Sequence, residues 1–279
     1  GTGVKVAVEG LDPMARGTLV HAALEHFWRQ VGSQETLRAL APEALAATVA
    51  AAVTAALTDF ETASHRQLPA RYRGLEGERL QALVHTWLAV EGARTAAFTV
   101  RACEREVVLE IEGIRVRTVI DRIDALADGR LLIIDYKTGR SIDLRNWAGD
   151  RLSEPQLPIY AALALPTEDG AEVAGAAFAK VRMDQPGFAG ISDHGGLLPG
   201  VPGLGDGRPP LFDPQRFPDW PAVLHHWRER LHAIAREIRA GEAAVRFADA
   251  NALRHCEVLP LLRLAERQQQ LAAAGEAAD

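Results

Sequence analysis

Three charged side chains lie close together in a stretch that otherwise has the pattern of buried β-structure. Residues 118–139 read TVIDRIDALADGRLLIIDYKTG and contain Asp121, Asp135 and Lys137. Strands that pack into a core seldom carry charge, because burying a charged group without a partner is costly. The charges therefore indicate chemistry. Two carboxylates can hold a divalent cation, and a lysine beside them can act on a bound water molecule or a phosphate.

The spacing of the two acids predicts that they face each other. The Asp-Gly pair at 128–129 is a tight-turn signal between two strand-like runs. This turn is equidistant from Asp121 and Asp135, so antiparallel pairing places them opposite each other. Side chains alternate along a strand, so Asp135 and Lys137 share a face while Tyr136 points to the other. Facing carboxylates repel unless a cation separates them, and hard oxygen ligands favour Mg²⁺ or Mn²⁺.

The elements that must position these side chains follow from two hydrophobic periods along the chain. Some stretches repeat apolar residues at helical spacing, and others place them at every second position. The predicted order is a helix from near residue 15, helices 42–62 and 75–96, strands 104–111, 114–126 and 130–137, helix 154–165, strand 172–183, a long loop 184–214, and helices 218–241 and 258–274. The three consecutive strands are expected to form an antiparallel meander.

Composition limits the classes of protein that the chain can represent. It has 279 residues, 48% of them hydrophobic and 24% charged, which is typical of a soluble globular protein. The net charge of −6 argues against binding nucleic acid by bulk charge, so DNA binding would need local basic patches. The two cysteines form no CxxC pair, which argues against a zinc ribbon or a disulfide framework.

The sequence also carries indications about location and completeness. It contains no run of 18 apolar, uncharged residues, so we expect no membrane span. Two cysteines and no disulfide pattern favour a reducing cytosol. The chain begins at Gly1 with neither Met nor a signal peptide. We therefore expect a fragment of a longer protein.

Four motifs in order resemble the PD-(D/E)XK nuclease superfamily, in its RecB-like exonuclease branch. They are RGTLVHAALE at 16–25, VIDRID at 119–124, IIDYKTG at 133–139 and QLPIY at 156–160. The third resembles the core motif of the superfamily, and a single match of that kind would be weak. Four ordered motifs are specific, and the chain looks most similar to the C-terminal nuclease domain of AddB-like bacterial DNA repair proteins.

The resemblance implies a role for each matching residue. The implied metal ligands are His21, Asp121, Asp135 and the backbone carbonyl of Tyr136. The implied catalytic residues are Lys137, Asp121, Asp135, Gln156 and Tyr160. In this assignment Lys137 acts on the nucleophilic water or the transition state. Gln156 and Tyr160 are four residues apart on one helical face and would shape the site or contact DNA.

The resemblance also implies a fold and an activity. We expect an α/β, restriction-endonuclease-like core with additional helices, as a single domain over 1–279 with a helical insertion at about 42–96 and a loop insertion at about 184–214. The implied activity is a metal-dependent DNA exonuclease in repair or recombination. It would work in the bacterial cytoplasm, associated with the nucleoid, together with a helicase subunit or helicase domain. The alternative is a catalytically silent DNA-binding or scaffold domain of a helicase–nuclease complex.

The sequence departs from the family in its cysteines. Many relatives carry an iron–sulfur cluster, with one cysteine before the histidine helix and three near the C-terminus. Only Cys256 stands where three would be expected. We therefore expect no iron–sulfur cluster.

Other charged residues have competing interpretations. Asp124 lies on the opposite strand face from Asp121, which favours a turn cap over a site role. Glu25 shares a helical face with His21, so it either joins the site or pairs with a cation at the surface. Lys180 and Arg182 alternate on one strand face and either contact DNA phosphates or remain solvated.

Overall fold

The computed structural model describes residues 10–139, 142–152, 154–165 and 172–241. We number the elements in chain order. The helices are α1 (Pro13–Val31), α2 (Gln34–Ala39), α3 (Pro42–Ala63), α4 (Ala70–Gly92), α5 (Gln156–Ile159, continued as a π-helix over Tyr160–Ala164) and α6 (Trp220–Arg239). The strands are β1 (Phe98–Ile111), β2 (Ile114–Leu126), β3 (Leu131–Lys137), β4 (Val173–Lys180) and β5 (Gly187–Ser192). A short 3₁₀ helix covers Arg145–Ala148.

The five strands form one mixed sheet in the order β1-β2-β3-β4-β5. Strands β1, β2 and β3 are an antiparallel meander, β4 runs parallel to β3, and β5 is antiparallel to β4. A parallel neighbour requires a crossover connection, and the segment between β3 and β4 that contains α5 provides it. This connection carries α5 across the sheet face beside the end of β3.

Helices cover both faces of the sheet, so the core has two parts. On one face α1, α3 and α4 pack with residues such as Phe27, Trp87 and Ile134. On the other, α5 and α6 pack with residues such as Ile133 and Trp227. Strand β3 contributes alternate residues to the two parts, and a strand buried on both faces is expected to be a continuous apolar run. The run LLII before Asp135 fits this position, and the α/β fold is the one that the sequence predicts.

Most predicted elements are present, with corrections at the edges. The predicted loop at 184–214 is wrong over Gly187–Ser192, which form the edge strand β5. This strand has glycines at 187 and 190, and little in its sequence resembles a strand. A side chain at Gly190 would come within 2.2 Å of the Ala176 carbonyl oxygen, so glycine permits the close approach of β4 and β5. The helix predicted at 258–274 and Cys256 lie outside the described residues.

The turn cap predicted for Asp124 is also wrong. Asp124 is fully buried and accepts hydrogen bonds from Arg122 and Arg94. Glu91 completes this cluster by pairing with both arginines. The Arg122 guanidinium also stacks 4.2 Å from the centre of the Trp28 ring. Buried charges are tolerated when they are paired and hydrogen-bonded, so this cluster explains the acid and the arginine on the face of β2 that packs against α1 and α4, without a catalytic role.

Helix α3 is long and apolar enough to cross a membrane by length and composition. Its buried residues, including Val49, Val53 and Leu57, belong to the core cluster that α1 and α4 share. One face of α3 therefore packs into the core. Helices α3 and α4 of the 42–96 region, predicted as a helical insertion, form one of the two parts of the core together with α1.

Candidate metal centre

Three carboxylates lie in a row across the sheet, in the middle of β1 and β2 and near the end of β3. The pairing of Arg122 with Ile134, extended by one residue, places Asp121 opposite Asp135. In the register of β1 and β2, Cys103 pairs with Arg122 and Arg105 pairs with Ile120. Glu104 therefore faces Asp121 between these two pairs. Asp121 and Asp135 are almost fully buried, and Glu104 is partly exposed. The predicted pair of facing acids is therefore extended by a third.

Strands β2 and β3 remain connected beyond their last register pair through the Asp121 side chain. The Tyr136 N–H donates to Asp121 Oδ2 at 2.7 Å. The Tyr136 side chain points to the sheet face that α1, α3 and α4 cover. There, Arg122 Nη1 lies 3.4 Å from the Tyr136 hydroxyl oxygen. Burial raises the pKa of the Tyr136 hydroxyl, so it stays protonated. Tyr136 thus links the acids on one face of the sheet to the buried ion-pair cluster on the other.

Helix α1 brings His21 to the acids. The Asp12 side chain accepts a hydrogen bond from the Ala15 N–H at the start of α1, Pro13 occupies the first turn, and Gly32 ends the helix with a φ of 71°. His21 Nε2 donates to the Tyr136 carbonyl at 3.0 Å, because a carbonyl oxygen can only accept.

The other nitrogen of the His21 ring faces carboxylates. Nδ1 lies 3.3 Å from Asp121 Oδ2 and 4.0 Å from Glu104 Oε1. One ligand atom from each of His21, Glu104 and Asp121 falls within a span of 4.8 Å. In the neutral ring with a proton on Nε2, the Nδ1 lone pair therefore points into a group of oxygens that could hold a cation.

Lys137 lies between Asp135 and α5. Its Nζ is 3.1 Å from Asp135 Oδ2 and donates to Gln156 Oε1 at 3.0 Å. It also lies 5.1 Å from the centre of the Phe178 ring on β4. The structure thus brings Gln156 to Asp135 and Lys137, the two residues that the strand period places on one face. Asp135 is turned toward Lys137 and does not belong to the tight group of His21, Glu104 and Asp121.

The side chain of Asp135 has an unsatisfied oxygen. Among the described residues, buried Oδ2 has no well-formed hydrogen bond, although the Lys137 ammonium pairs with it at 3.1 Å. A buried carboxylate oxygen with too few hydrogen bonds is costly. A cation bound by the facing acids would add a partner.

Tyr160 supports strand β2 and does not reach the acids. Its hydroxyl donates to the Val119 carbonyl at 2.6 Å and lies 2.9 Å from Thr118 Oγ1. The side chain is almost completely buried, and burial raises the pKa of its hydroxyl. The structure therefore favours a role in shaping the site over direct contact with DNA.

The electrostatics of the acids follow from their burial and mutual proximity. Burial, with the charge of Asp121, raises the pKa of Asp135 to about 6, although Lys137 opposes the shift. Burial and the same charge raise the pKa of Glu104 to about 7. Burial disfavours the His21 imidazolium, but Asp121, Asp135 and Glu104 outweigh it and raise the pKa of His21 above its usual value. Asp135 and Glu104 thus hold protons more readily than isolated carboxylates, because they are buried near the charge of Asp121.

The donor set fits a divalent cation of the hard class. Carboxylates, one imidazole and a backbone carbonyl suit Mg²⁺ or Mn²⁺, while the centre contains no thiolate. The Tyr136 carbonyl accepts the Nε2–H of His21 and keeps a second lone pair. The residues that would hold the ion are His21, Glu104, Asp121, Asp135 and the Tyr136 carbonyl.

Glu104 was missed by the sequence reasoning although a signal existed. The turn at Glu112-Gly113 is equidistant from Glu104 and Asp121, the same relation that placed Asp121 opposite Asp135. Glu104 also has a positive φ of 48°, which distorts β1 locally and cannot be read from sequence. Glu25 pairs with Arg29 one helical turn away at 2.6 Å, the surface interpretation that the sequence left open.

Comparison with known proteins identifies the family. The family model described as PD-(D/E)XK nuclease superfamily matches residues 3–261, which is most of the chain. No curated protein gives a significant match. The matched region includes all three strands of the metal centre and the helix that carries His21.

Proposed function

Because the chain belongs to the PD-(D/E)XK nuclease superfamily, we propose that it is a metal-dependent deoxyribonuclease that hydrolyses phosphodiester bonds from DNA ends. The observation that carries the proposal is the arrangement of Asp121, Asp135 and Lys137. The two facing acids are almost fully buried, and the Lys137 ammonium pairs with Asp135 Oδ2 at 3.1 Å. Members of this superfamily generally use divalent metal ions, and the donor set fits one.

The residues of the centre have two roles in hydrolysis, which are to bind the metal ion and to act on the water or the phosphate. A divalent ion held there makes a bound water more acidic and neutralises charge on a phosphate. Asp121 and Asp135 would anchor the ion, and His21 would help to fix its position from helix α1. Lys137, held by Gln156 at 3.0 Å, orients the attacking water or stabilises the charge that develops on the phosphoryl oxygens.

Exonuclease action, DNA as the substrate and a role in repair or recombination rest on the four motifs that resemble the RecB-like branch. The same resemblance supports a helicase subunit or helicase domain as partner and a location at the bacterial nucleoid. The rival function is a silent DNA-binding or scaffold domain. The chain keeps both acids, the histidine and the lysine, and His21 contacts Asp121 while Lys137 contacts Asp135. This argues against the rival function.

The test is digestion of end-labelled single- and double-stranded DNA with Mg²⁺ or Mn²⁺, comparing the wild type with Asp135→Ala. Cleavage that requires both the metal and Asp135 would support the proposal. Release of labelled mononucleotides or short products from one end would support exonuclease action, and closed circular DNA would then resist digestion. Intact DNA binding in Ca²⁺ with no cleavage in Mg²⁺ or Mn²⁺ would favour the scaffold function.

A further inference from the structure

A cavity of about 310 Å³ lies beside the metal centre, between the start of α1, the middle of α4 and the end of β4. Thr138, the residue after Lys137, lines it, and a side chain at Gly17 on α1 would lie 3.5 Å from Thr138 Oγ1. The volume is near the lower end of the usual range for small-ligand sites, about 300–1,000 Å³. The cavity is therefore a separate space that begins one residue from the catalytic lysine.

Three arginines from three elements line this cavity. Arg16 comes from α1, Arg79 from α4 and Arg182 from the segment after β4, and Asp184 is the one acid in the lining. The arginines are far apart in sequence, and only the fold brings them together. Asp184 pairs with Arg182 at 2.6 Å, and Glu76 pairs with Arg16 and Arg79, so the arginines exceed these acids by one positive charge. In a chain with a net charge of −6, such a local excess favours binding of an anion.

The arginines are held in place from behind. Glu76 on α4 is almost fully buried. It accepts a hydrogen bond from Arg79 Nε at 2.7 Å and lies 3.6 Å from Arg16 Nη2. Both arginine side chains nevertheless remain more than one-third exposed. A buried carboxylate that orients two partly exposed guanidinium groups is suited to preorganising them for an anion, because guanidinium groups match phosphate oxygens with paired donors.

The remaining walls of the cavity are apolar. Val20, Leu83 and Val181 are buried, and the Met183 side chain is largely exposed at the rim. An inorganic ion alone would not need such walls. A phosphate that carries a sugar and a base would use both the arginines and the apolar surface.

We propose that this arginine cavity binds a phosphate group of the DNA strand next to the scissile bond, and so sets the path of the strand into the metal centre. The inference rests on the proposed nuclease function and adds to it a binding subsite. The same chemistry fits an internal phosphodiester or a terminal phosphate. Because Thr138 in the cavity wall directly follows Lys137 in the chain, we expect the bound phosphate to be near the bond that is cut.

The test measures DNA binding without cleavage, in Ca²⁺, by fluorescence anisotropy of a labelled single-stranded oligonucleotide over a range of salt concentrations. The double variant Arg16→Ala/Arg79→Ala should bind about tenfold or more weakly, since hydrogen bonds to charged groups are lost. The slope of log affinity against log salt should decrease by about 0.7 for each phosphate contact removed. The matched control is Arg236→Ala on α6, an exposed arginine that is also paired with a glutamate.

Two further measurements separate a loss of phosphate binding from a loss of folding and identify the kind of phosphate that is bound. Removing both arginines leaves Glu76 buried without a partner, which can destabilise the fold. The variant Arg16→Lys/Arg79→Lys keeps a cation beside Glu76 and loses the paired donors, so it should keep the salt slope and still weaken binding. Comparing 5′-phosphorylated, 5′-hydroxyl and circular strands shows whether the cavity takes a terminal or an internal phosphate.

Unchanged affinity and salt slope in the alanine double variant would overturn the proposal, as would an equal loss in Arg236→Ala. Absence of any DNA binding by the wild type would overturn it too. Hydrolysis of bis(p-nitrophenyl) phosphate, which is too small to span both sites, should be unaffected in the double variant. If the arginines control binding and no substrate is cleaved with any metal, the nuclease function fails while the cavity assignment stands.

Discussion

Asp121 Oδ2 accepts the backbone N–H of Tyr136 at 2.7 Å, one position beyond the last register pair of β2 and β3. The same carboxylate oxygen lies 3.3 Å from His21 Nδ1. One side chain thus connects strand β3 to strand β2 and both strands to helix α1. Its charge and its hydrogen bond can be separated by substitution.

Asp121→Asn should retain the fold and lose metal binding and cleavage. The asparagine carbonyl can still accept the Tyr136 N–H, but the charge that attracts a cation is gone. We expect cleavage to fall by about 100-fold or more, since even substitutions that only support metal ligands cost about 10–100-fold. Titration calorimetry measures the affinity for Mn²⁺, a thermal melt measures the stability of the fold, and the end-labelled DNA assay measures cleavage. Cleavage at the wild-type rate would exclude Asp121 as a ligand.

Glu104→Gln should weaken metal binding, although Glu104 lies outside the four sequence motifs. Glu104 belongs to the group that offers one ligand atom each within 4.8 Å, together with His21 and Asp121. The matched control is Glu106→Gln, two residues along β1, where the exposed carboxylate pairs with Arg117. A lower Mn²⁺ affinity in Glu104→Gln and no change in Glu106→Gln are expected. Equal affinities in both variants would remove Glu104 from the site.

The contrast between Glu104 and Asp135 shows how far the sequence reaches. The strand period and a two-residue turn were enough to pair Asp121 with Asp135, because antiparallel register is fixed by the turn. The same rule would have found Glu104, had it been applied to the turn at 112–113. Which acid points toward His21 and which toward Lys137 depends on side-chain packing and on the distorted backbone at Glu104, and these are properties of the folded chain.

Asp124 and strand β5 show what the sequence does not predict. The local sequence around Asp124 favours a turn cap, while the structure buries this residue with Arg94, Arg122 and Glu91. Two of those partners come from α4 and the segment after it, about 30 residues earlier in the chain. Strand β5 forms because β4 offers an edge, and its glycine-rich sequence gives no periodic signal. Long-range partners of this kind cannot be inferred from spacing.

Lys137→Ala should abolish cleavage and leave metal binding intact, because the lysine is not a ligand of the ion. Among the described residues, its ammonium lies close to Asp135, Gln156 and Glu154 and near the Phe178 ring. Calorimetry with Mn²⁺ should give the wild-type affinity or a slightly higher one. Loss of metal binding, or cleavage at the wild-type rate, would contradict the assigned role.

Gln156→Ala should lower kcat by about tenfold with little change in KM, because Gln156 positions Lys137 through the 3.0 Å bond to Oε1. Gln156→Glu keeps an oxygen at this point and should rescue part of the loss. A change in KM alone would instead indicate that Gln156 contacts DNA.

Tyr160→Phe should destabilise the chain by about 1–2 kcal/mol, since it removes the hydroxyl that bonds to Val119 and Thr118 and leaves the Val119 carbonyl without this donor. Cleavage should persist, because the hydroxyl does not reach the metal ligands. Urea unfolding gives the stability, and the DNA assay gives the activity. Full stability with lost DNA affinity would show that Tyr160 acts on the substrate.

The metal-free chain should lose stability as the pH rises from about 4 to about 7 through the titration of its metal centre. Asp135 has a pKa of about 6 and Glu104 of about 7, above their ordinary values of 3.8 and 4.5, and the pKa of His21 is also raised. The folded state therefore binds more protons than the unfolded state in this window, and the free energy of unfolding falls as the pH increases. A bound cation should restore stability at neutral pH.

Thermal melts at pH 5.5 and 7.5, in EDTA and in Mg²⁺ or Mn²⁺, test this linkage. His226, whose pKa is lowered by burial, shifts stability the opposite way between these pH values, so the informative quantity is the difference between wild type and Glu104→Gln. The Tm of the metal-free wild type should fall more between the two pH values than that of Glu104→Gln, by a few degrees, whereas Glu106→Gln should follow the wild type. The metal should raise the wild-type Tm more at pH 7.5 than at pH 5.5, because protons compete with it for the same carboxylates. Equal pH dependence in all three chains would show that the centre does not hold the extra protons.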